Sequence, residues 1–147
     1  MNTEEKQLLL KDLCARVPYG VMCDRLGHPL KLVGVHPNKE FALEFDRGEY
    51  MPTEYTVEDV KPYLRPMSSM TEEEFGNLKV YSELEYDQLE MPEWDNGYKT
   101  LEFWLEEVPS YVVILVFDWF NKNHFDYRGL IERGLALEAP KGIYKEK

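Results

Sequence analysis

Apolar positions change their period along the chain, and the changes mark its elements. Between Glu4 and Ala15, Leu9, Leu10, Leu13, Cys14 and Val17 recur at the spacing of one helical face. Thr3 reads as the N-cap, Glu4 and Glu5 suit the positive end of the helix dipole, and Arg16 suits the negative end. The stretch VPYG ends this helix, because Pro18 disfavours helical geometry in Val17 and has no N–H to donate. From Val21 the period drops to two. Val21 and Cys23 oppose Met22 and Asp24; Leu30 and Leu32 share a face; Phe41, Leu43 and Phe45 alternate with Ala42, Glu44 and Asp46. These read as three half-buried strands joined by turns at LGHP, HPNKE and DRGEY, an antiparallel meander. A flat sheet with one apolar face needs a cover, so either the first helix lies on it or the strands curl into a small barrel.

Helical spacing then returns. Thr56 with Asp59 predicts a capped turn over Thr56–Lys61, with Val57, Val60 and Leu64 on one face, stopped by Pro62 and Pro66. Thr71 with Glu74 is a second capping box and opens a helix expected to run to about Asp87, with Phe75, Leu78 and Tyr81 inward. MPEWDNGYK is a break, and Leu101, Trp104 and Leu105 place a short helix over Lys99–Glu107. Residues 110–123 carry the β-branched bias of a strand in YVVILVF. Yet Val112, Leu115, Val116, Trp119 and Phe120 share a helical face, and strands longer than about ten residues are uncommon, so helix is favoured.

The stretch HFDYRGLIERGLALEAP, from His124 to Pro140, is the place to look for chemistry. His124 is a candidate base with Asp118 or Asp126 to orient it. Asp118 lies six residues away, about 240° round a helix, and no serine or cysteine lies close in sequence to act as nucleophile. Architecture accounts for more of the residues. Asp126 reads as the N-cap of a short helix over Tyr127–Arg133, and Arg128 and Glu132 form an i, i+4 pair. Gly134 supplies the left-handed closure, Leu135 packs back on it, and Leu135, Leu137 and Ala139 alternate as a brief strand. Gly129 costs about 1 kcal/mol inside that helix unless another backbone passes close by.

Composition narrows the functions. The chain has 147 residues, 44% hydrophobic, so it can build a core. The longest apolar run, Tyr111 to Phe117, is far short of a membrane span, and the acidic N-terminus does not read as a secretory signal. A cytoplasmic protein is expected. Cys14 and Cys23 fit no common zinc spacing and are expected to be buried small apolar residues. Cys23, His28 and His36 have no diagnostic metal spacing, so neither metal nor cofactor is expected. The net charge of −11 is concentrated in residues 51–107, which hold fifteen acids against four bases. With no basic stripe elsewhere, direct nucleic-acid binding is disfavoured.

KDLCARVPYG, KPYLRPMSSMT and HFDYRGLIERGLALEAPKGIY resemble segments of an uncharacterised protein family of gut Bacteroidales genomes, their phages and mobile elements. The resemblance implies an accessory intracellular protein with no assigned reaction, and it carries over no catalytic residue. The expected fold is α+β in one domain, residues 1–147. Residues 1–66 hold the helix and a three- to four-stranded antiparallel meander curled toward a small Src-homology-3-like (SH3-like) barrel, and residues 67–147 are mainly helical and pack on it. The expected function is non-enzymatic binding of an unidentified protein partner, with Trp94, Tyr98, Glu72, Glu73 and Glu74 as candidate contacts. One alternative is an acidic DNA mimic that inhibits a nuclease or defence factor through Glu72, Glu73, Glu74, Glu83, Glu85 and Asp87. The other is an enzyme whose site is assembled around His36 or His124 from distant residues.

Overall fold

The computed structural model describes residues 1–36, 39–46, 53–84, 89–95 and 98–144. The expected turn around Arg47–Tyr50 lies outside them, as do Glu85 and Asp87. The described residues form an α+β fold: helix α1 (Thr3–Arg16), strands β1 (Met22–Arg25), β2 (His28–Val35), β3 (Ala42–Asp46), β4 (Thr53–Thr56) and β5 (Lys61–Leu64), helices α2 (Glu72–Tyr81), α3 (Tyr98–Glu107) and α4 (Val113–Lys122), and a short strand β6 (Leu137–Glu138).

Helix α1 begins one residue earlier than expected. Asn2, not Thr3, is the N-cap: its side chain accepts from Glu5 N (2.8 Å), and Glu5 accepts in return from Asn2 N (3.1 Å). The buried face is Leu9, Asp12, Leu13 and Arg16: of the expected stripe Leu9 and Leu13 are buried, Leu10 and Val17 are half-buried against the same core, and Cys14 is turned out. A charged pair on the inner face turns the helix this way. Cys14 therefore lies exposed, against expectation, while Cys23 is buried as expected. One thiol per chain should react with a thiol reagent in native buffer and two after unfolding in urea; two reacting natively would contradict the burial of Cys23.

The three expected strands pair as an antiparallel meander and β4 extends it, giving the order β4-β3-β2-β1-β5-β6. Leu26 (φ 51°) and Gly27 (φ 86°) make the turn between β1 and β2, two successive left-handed residues that match a twisted hairpin. Thr56 and Asp59 form the expected capping box over a single 3-10 turn, Val57–Asp59. The chain after it differs from expectation: Lys61–Leu64 is a strand beside β1, with Pro62 opposite Cys23. Strand β6 returns from the C-terminal half to pair parallel with β5, Tyr63 opposite Leu137. Among the described residues the sheet does not close: β4 and β6 are its two ends in that order, so these strands form an open sheet and the expected SH3-like barrel is not seen.

Among the described residues, two apolar clusters form the core. One lies between α1 and the sheet, through Leu9, Leu13, Leu32, Leu43, Phe45 and Leu64, and the C-terminal Leu130, Leu135 and Ala136 belong to it. The other unites α2, α3 and α4 through Phe75, Leu78, Trp94, Trp104, Trp119 and Phe120. Residues 110–122 are helical, as favoured: a 3-10 turn over Ser110–Val112 runs into α4.

Helix α2 has the expected Thr71–Glu74 capping box but stops at Tyr81, short of Asp87. Leu84 N donates to Lys79 O (2.9 Å) and Glu83 N to Val80 O (3.3 Å), with Glu83 left-handed at φ 58°. This is the closure a glycine usually provides. Glu83→Gly should raise the unfolding free energy by about 0.5–1 kcal/mol, read by urea denaturation; a loss would mean that Glu83 is not left-handed in solution.

Candidate functional site

The stretch from His124 to Pro140 is built around two chain closures of this same kind. At the end of α4, His124 takes the left-handed position (φ 63°), Phe125 N donates to Phe120 O (2.9 Å) and His124 N to Asn121 O (3.2 Å). Ten residues on, Gly134 (φ 75°) does the same: Leu135 N donates to Leu130 O (2.9 Å) and Gly134 N to Ile131 O (3.0 Å). The expected role of Gly134 is met. The expected helix over Tyr127–Arg133 is not: those residues form turns, because Gly129 is itself left-handed at φ 71°. Asp126 caps these turns instead, accepting from Leu130 N and Ile131 N at 2.9 Å each. Burial pushes its carboxyl above the usual range, against the pull of those two donors. Asp126→Ala would strand both donors and should cost about 2 kcal/mol, read as a lowered urea midpoint; an unchanged midpoint would contradict this role.

The His124 ring is buried and stacked on Tyr144, with centroids 3.6 Å apart and planes 10° apart. Burial first, then the positive charges of Arg16 and Arg65, push its pKa down to about 3. Its Nδ1 is enclosed without a hydrogen-bond partner. Tyr144 in turn donates to Tyr63 O (2.6 Å) and accepts from Met22 N (2.9 Å), which ties the C-terminal segment across β1 and β5.

Beside this stack lies a buried ionic cluster. Asp12 and Arg16 are both fully buried. Arg16 Nε donates to Asp12 Oδ2 (2.8 Å) and Arg16 Nη2 to Asp12 Oδ1 (3.1 Å) and Phe125 O (2.7 Å). Arg128 Nε reaches Asp12 Oδ1 at 3.0 Å, so the expected partner of Arg128, Glu132, is replaced by an acid 116 residues away. Tyr127 bonds Asn121 Oδ1 at 2.9 Å. The sequence signal was present: Leu9, Asp12, Leu13 and Arg16 are i, i+3, i+4, i+7, so the polar pair sits in line with the leucines.

The surface also carries hollows, one of them beside Asp126. A depression of 340 Å³, wide open to solvent, is lined by Met22, His28, Pro29, Leu30, Lys31 and Asp46. A smaller one of 130 Å³ is lined by Pro66, Met67, Asp126, Ile131, Glu132 and Glu138. Neither His124 nor His36 lines these two hollows, and Cys23, His28 and His36 do not form a metal cluster among the described residues.

The expected contact residues fare unevenly. Trp94 is buried, 8% exposed, in the helical core against Trp104 and Phe120, so it is not a surface contact. Tyr98 opens α3, and its side chain lies outside the described residues. Glu72 and Glu73 are exposed on the first turn of α2. Glu74 is committed: Arg65 Nη1 and Nη2 donate to it at 2.5 and 2.8 Å. Burial opposes its charge, but the hydrogen bonds from Arg65 and Thr71 outweigh that and hold its carboxyl below the usual range. A row of free phosphate-like carboxylates is therefore broken at Glu74.

What α3 and α4 leave in water was not foreseen. Phe103 is 69% exposed, Tyr111 81% and Ile114 79%. Glu102, Glu106 and Glu107 are exposed around Phe103. Further along α4, Asp118 accepts hydrogen bonds from the hydroxyls of both Tyr19 and Tyr81, which lower its pKa; that bond leads in pushing Tyr19 up to about 12. No family model, curated protein or solved structure matches the chain. Among the described residues, no helix is long and apolar enough to cross a membrane.

Proposed function

We propose that the chain is a non-enzymatic protein-interaction module of the cytoplasm that acts through its outer surface. The observation that carries this reading is the set of large apolar side chains held in solvent on α3, the 3-10 turn after it and α4: Phe103, Tyr111 and Ile114. Water around them is released when a partner covers them, whereas the groups of the C-terminal stretch that resemble a catalytic set are engaged in holding the chain. His124 is stacked and buried, and both Asp126 oxygens accept backbone hydrogen bonds. The resemblance to an accessory family of mobile elements is compatible with such a role. In-cell cross-linking of the tagged full chain in the organism it comes from tests the reading. A reproducible protein adduct formed through one face is the expected result; adducts scattered over all faces with no reproducible protein would overturn it.

A further inference from the structure

We infer that the solvent side of residues 99–114 is a docking face for a cationic amphipathic segment of another protein. This rests on the interaction-module reading above and names the chemistry of the partner. On α3 the inward positions are Leu101, Trp104 and Val108, with Leu105 half-buried. The opposite side carries Lys99, Glu102, Phe103, Glu106 and Glu107, all exposed, and at 100° per residue Phe103 falls near the middle of it. Past Pro109 the exposed positions are Ser110, Tyr111 and Ile114. Tyr111 lies in the 3-10 turn that leads into α4 and Ile114 in the first turn of α4; both are exposed, whereas Val112, Val116 and Trp119 are buried.

Isolated exposed apolar residues are ordinary on a protein surface, and Val80 on α2 is one. Residues 103–114 differ because a phenylalanine, a tyrosine and an isoleucine fall within twelve residues. An aromatic and aliphatic centre with a charged rim is the composition of a binding surface. The rim sets the sign of the partner. Residues 98–114 hold three acids against one base, and the whole chain carries −11. A second copy of the chain would bring like charges together, and an anionic lipid surface would be repelled. A helix with leucine-like residues on one side and lysine or arginine on the other meets both demands: its apolar side covers Phe103 and Ile114 while its cations reach Glu102, Glu106 and Glu107.

The probe is a labelled synthetic helix of about 18 residues, leucines on one face and lysines on the other, beside a counterpart with glutamates for the lysines. Both are titrated with the full chain by fluorescence anisotropy. The lysine probe should bind, more weakly as salt rises, and the glutamate probe should not. Phe103→Ser with Ile114→Ser should weaken binding about tenfold or more. Val80→Ser should leave it unchanged, and Glu106→Gln with Glu107→Gln should weaken it and flatten its salt dependence. Both side chains of the double apolar variant are largely in solvent, and its thermal unfolding checks that it folds. Equal binding of the two probes, or equal loss with Val80→Ser, would overturn the inference. So would a chain dimer that Phe103→Ser dissolves, or binding to vesicles of anionic lipid. A cellular partner cross-linked through the sheet edge at β4, with no contact at 103–114, would sink this inference and leave the interaction-module reading standing.

Discussion

Replacing Asp12 by alanine is expected to remove about 3–5 kcal/mol of unfolding free energy, a large share of the whole for a domain of this size. The carboxylate is fully buried and accepts three hydrogen bonds, two from Arg16 and one from Arg128. Without it the Arg16 guanidinium, which has no exposure, keeps Phe125 O as its hydrogen-bond acceptor and only the weaker attraction of Asp126 as counter-charge. Arg128 is 19% exposed at its side chain and can turn toward water, so the cost falls on Arg16. Urea denaturation followed by tryptophan fluorescence should show a lowered midpoint with an unchanged slope. The companion variant, Asp12→Leu with Arg16→Met, removes both charges and should lose clearly less than Asp12→Ala. A loss below about 1 kcal/mol for Asp12→Ala would mean that the pair is hydrated and the closure around it looser than described.

The second large effect is on acid stability. The His124 pKa lies far below its unfolded value, so the folded chain keeps the ring neutral while the unfolded chain protonates it below about pH 6.5. Unfolding then takes up a proton. The stability from His124 is fully present above about pH 6.5 and is lost as pH falls toward the folded value. One proton corresponds to a slope of at most about 1.4 kcal/mol per pH unit, so the loss between pH 6.5 and 5 should be about 2 kcal/mol. Asp126 acts in the opposite sense, since burial raises its folded pKa and its protonation offsets part of the loss as pH drops. Glu74 and Asp118 have lowered folded values and withdraw their contributions only in more acid solution. Comparing the chain with a His124 variant separates the histidine's share from that of Asp126. His124→Asn keeps a residue that tolerates the left-handed conformation and removes the titration. It should lower stability at pH 7 yet flatten the dependence between pH 6.5 and 5; an unchanged slope would assign that dependence to other groups.

Local signals proved legible where the physics is local. The capping boxes at Thr56–Asp59 and Thr71–Glu74, the alternation of Leu43 and Phe45, the helical face through Val112, Val116, Trp119 and Phe120, and the left-handed Gly134 all appear where the chain announces them. Failures came where a partner far along the chain decides. Helix α1 turned Cys14 out because Asp12 meets Arg128, and Arg128 left Glu132 for the same reason. Lys61–Leu64 became a strand despite Pro62 because β1 and β6 flank it, and β6 is more than seventy residues away in sequence. The end of α2 was missed because Glu83, not a glycine, takes the left-handed closure, and nothing in a glutamate signals that geometry. Trp94 sits among turn-forming residues and so reads as exposed, yet the rings of Trp104 and Phe120 enclose it. Of the candidate site, the buried histidine and its flanking acids were legible as residues, but their role was set by Tyr144 and by the backbone they close. The exposed residues of α3 and α4 were hidden because the sequence does not say which face of an apolar helix is left uncovered.

The most direct test of a surface-acting module held in shape by its buried polar residues is one quantitative affinity purification from the native organism. It compares the tagged wild-type chain with Phe103→Ser/Ile114→Ser and with His124→Asn, each shown to be folded. The expected result is that the surface pair loses the recovered protein while His124→Asn retains it in proportion to its folded fraction. Retention by the surface pair, with loss in a fully folded His124→Asn chain, would place the working part of the molecule at the imidazole and contradict the central claim.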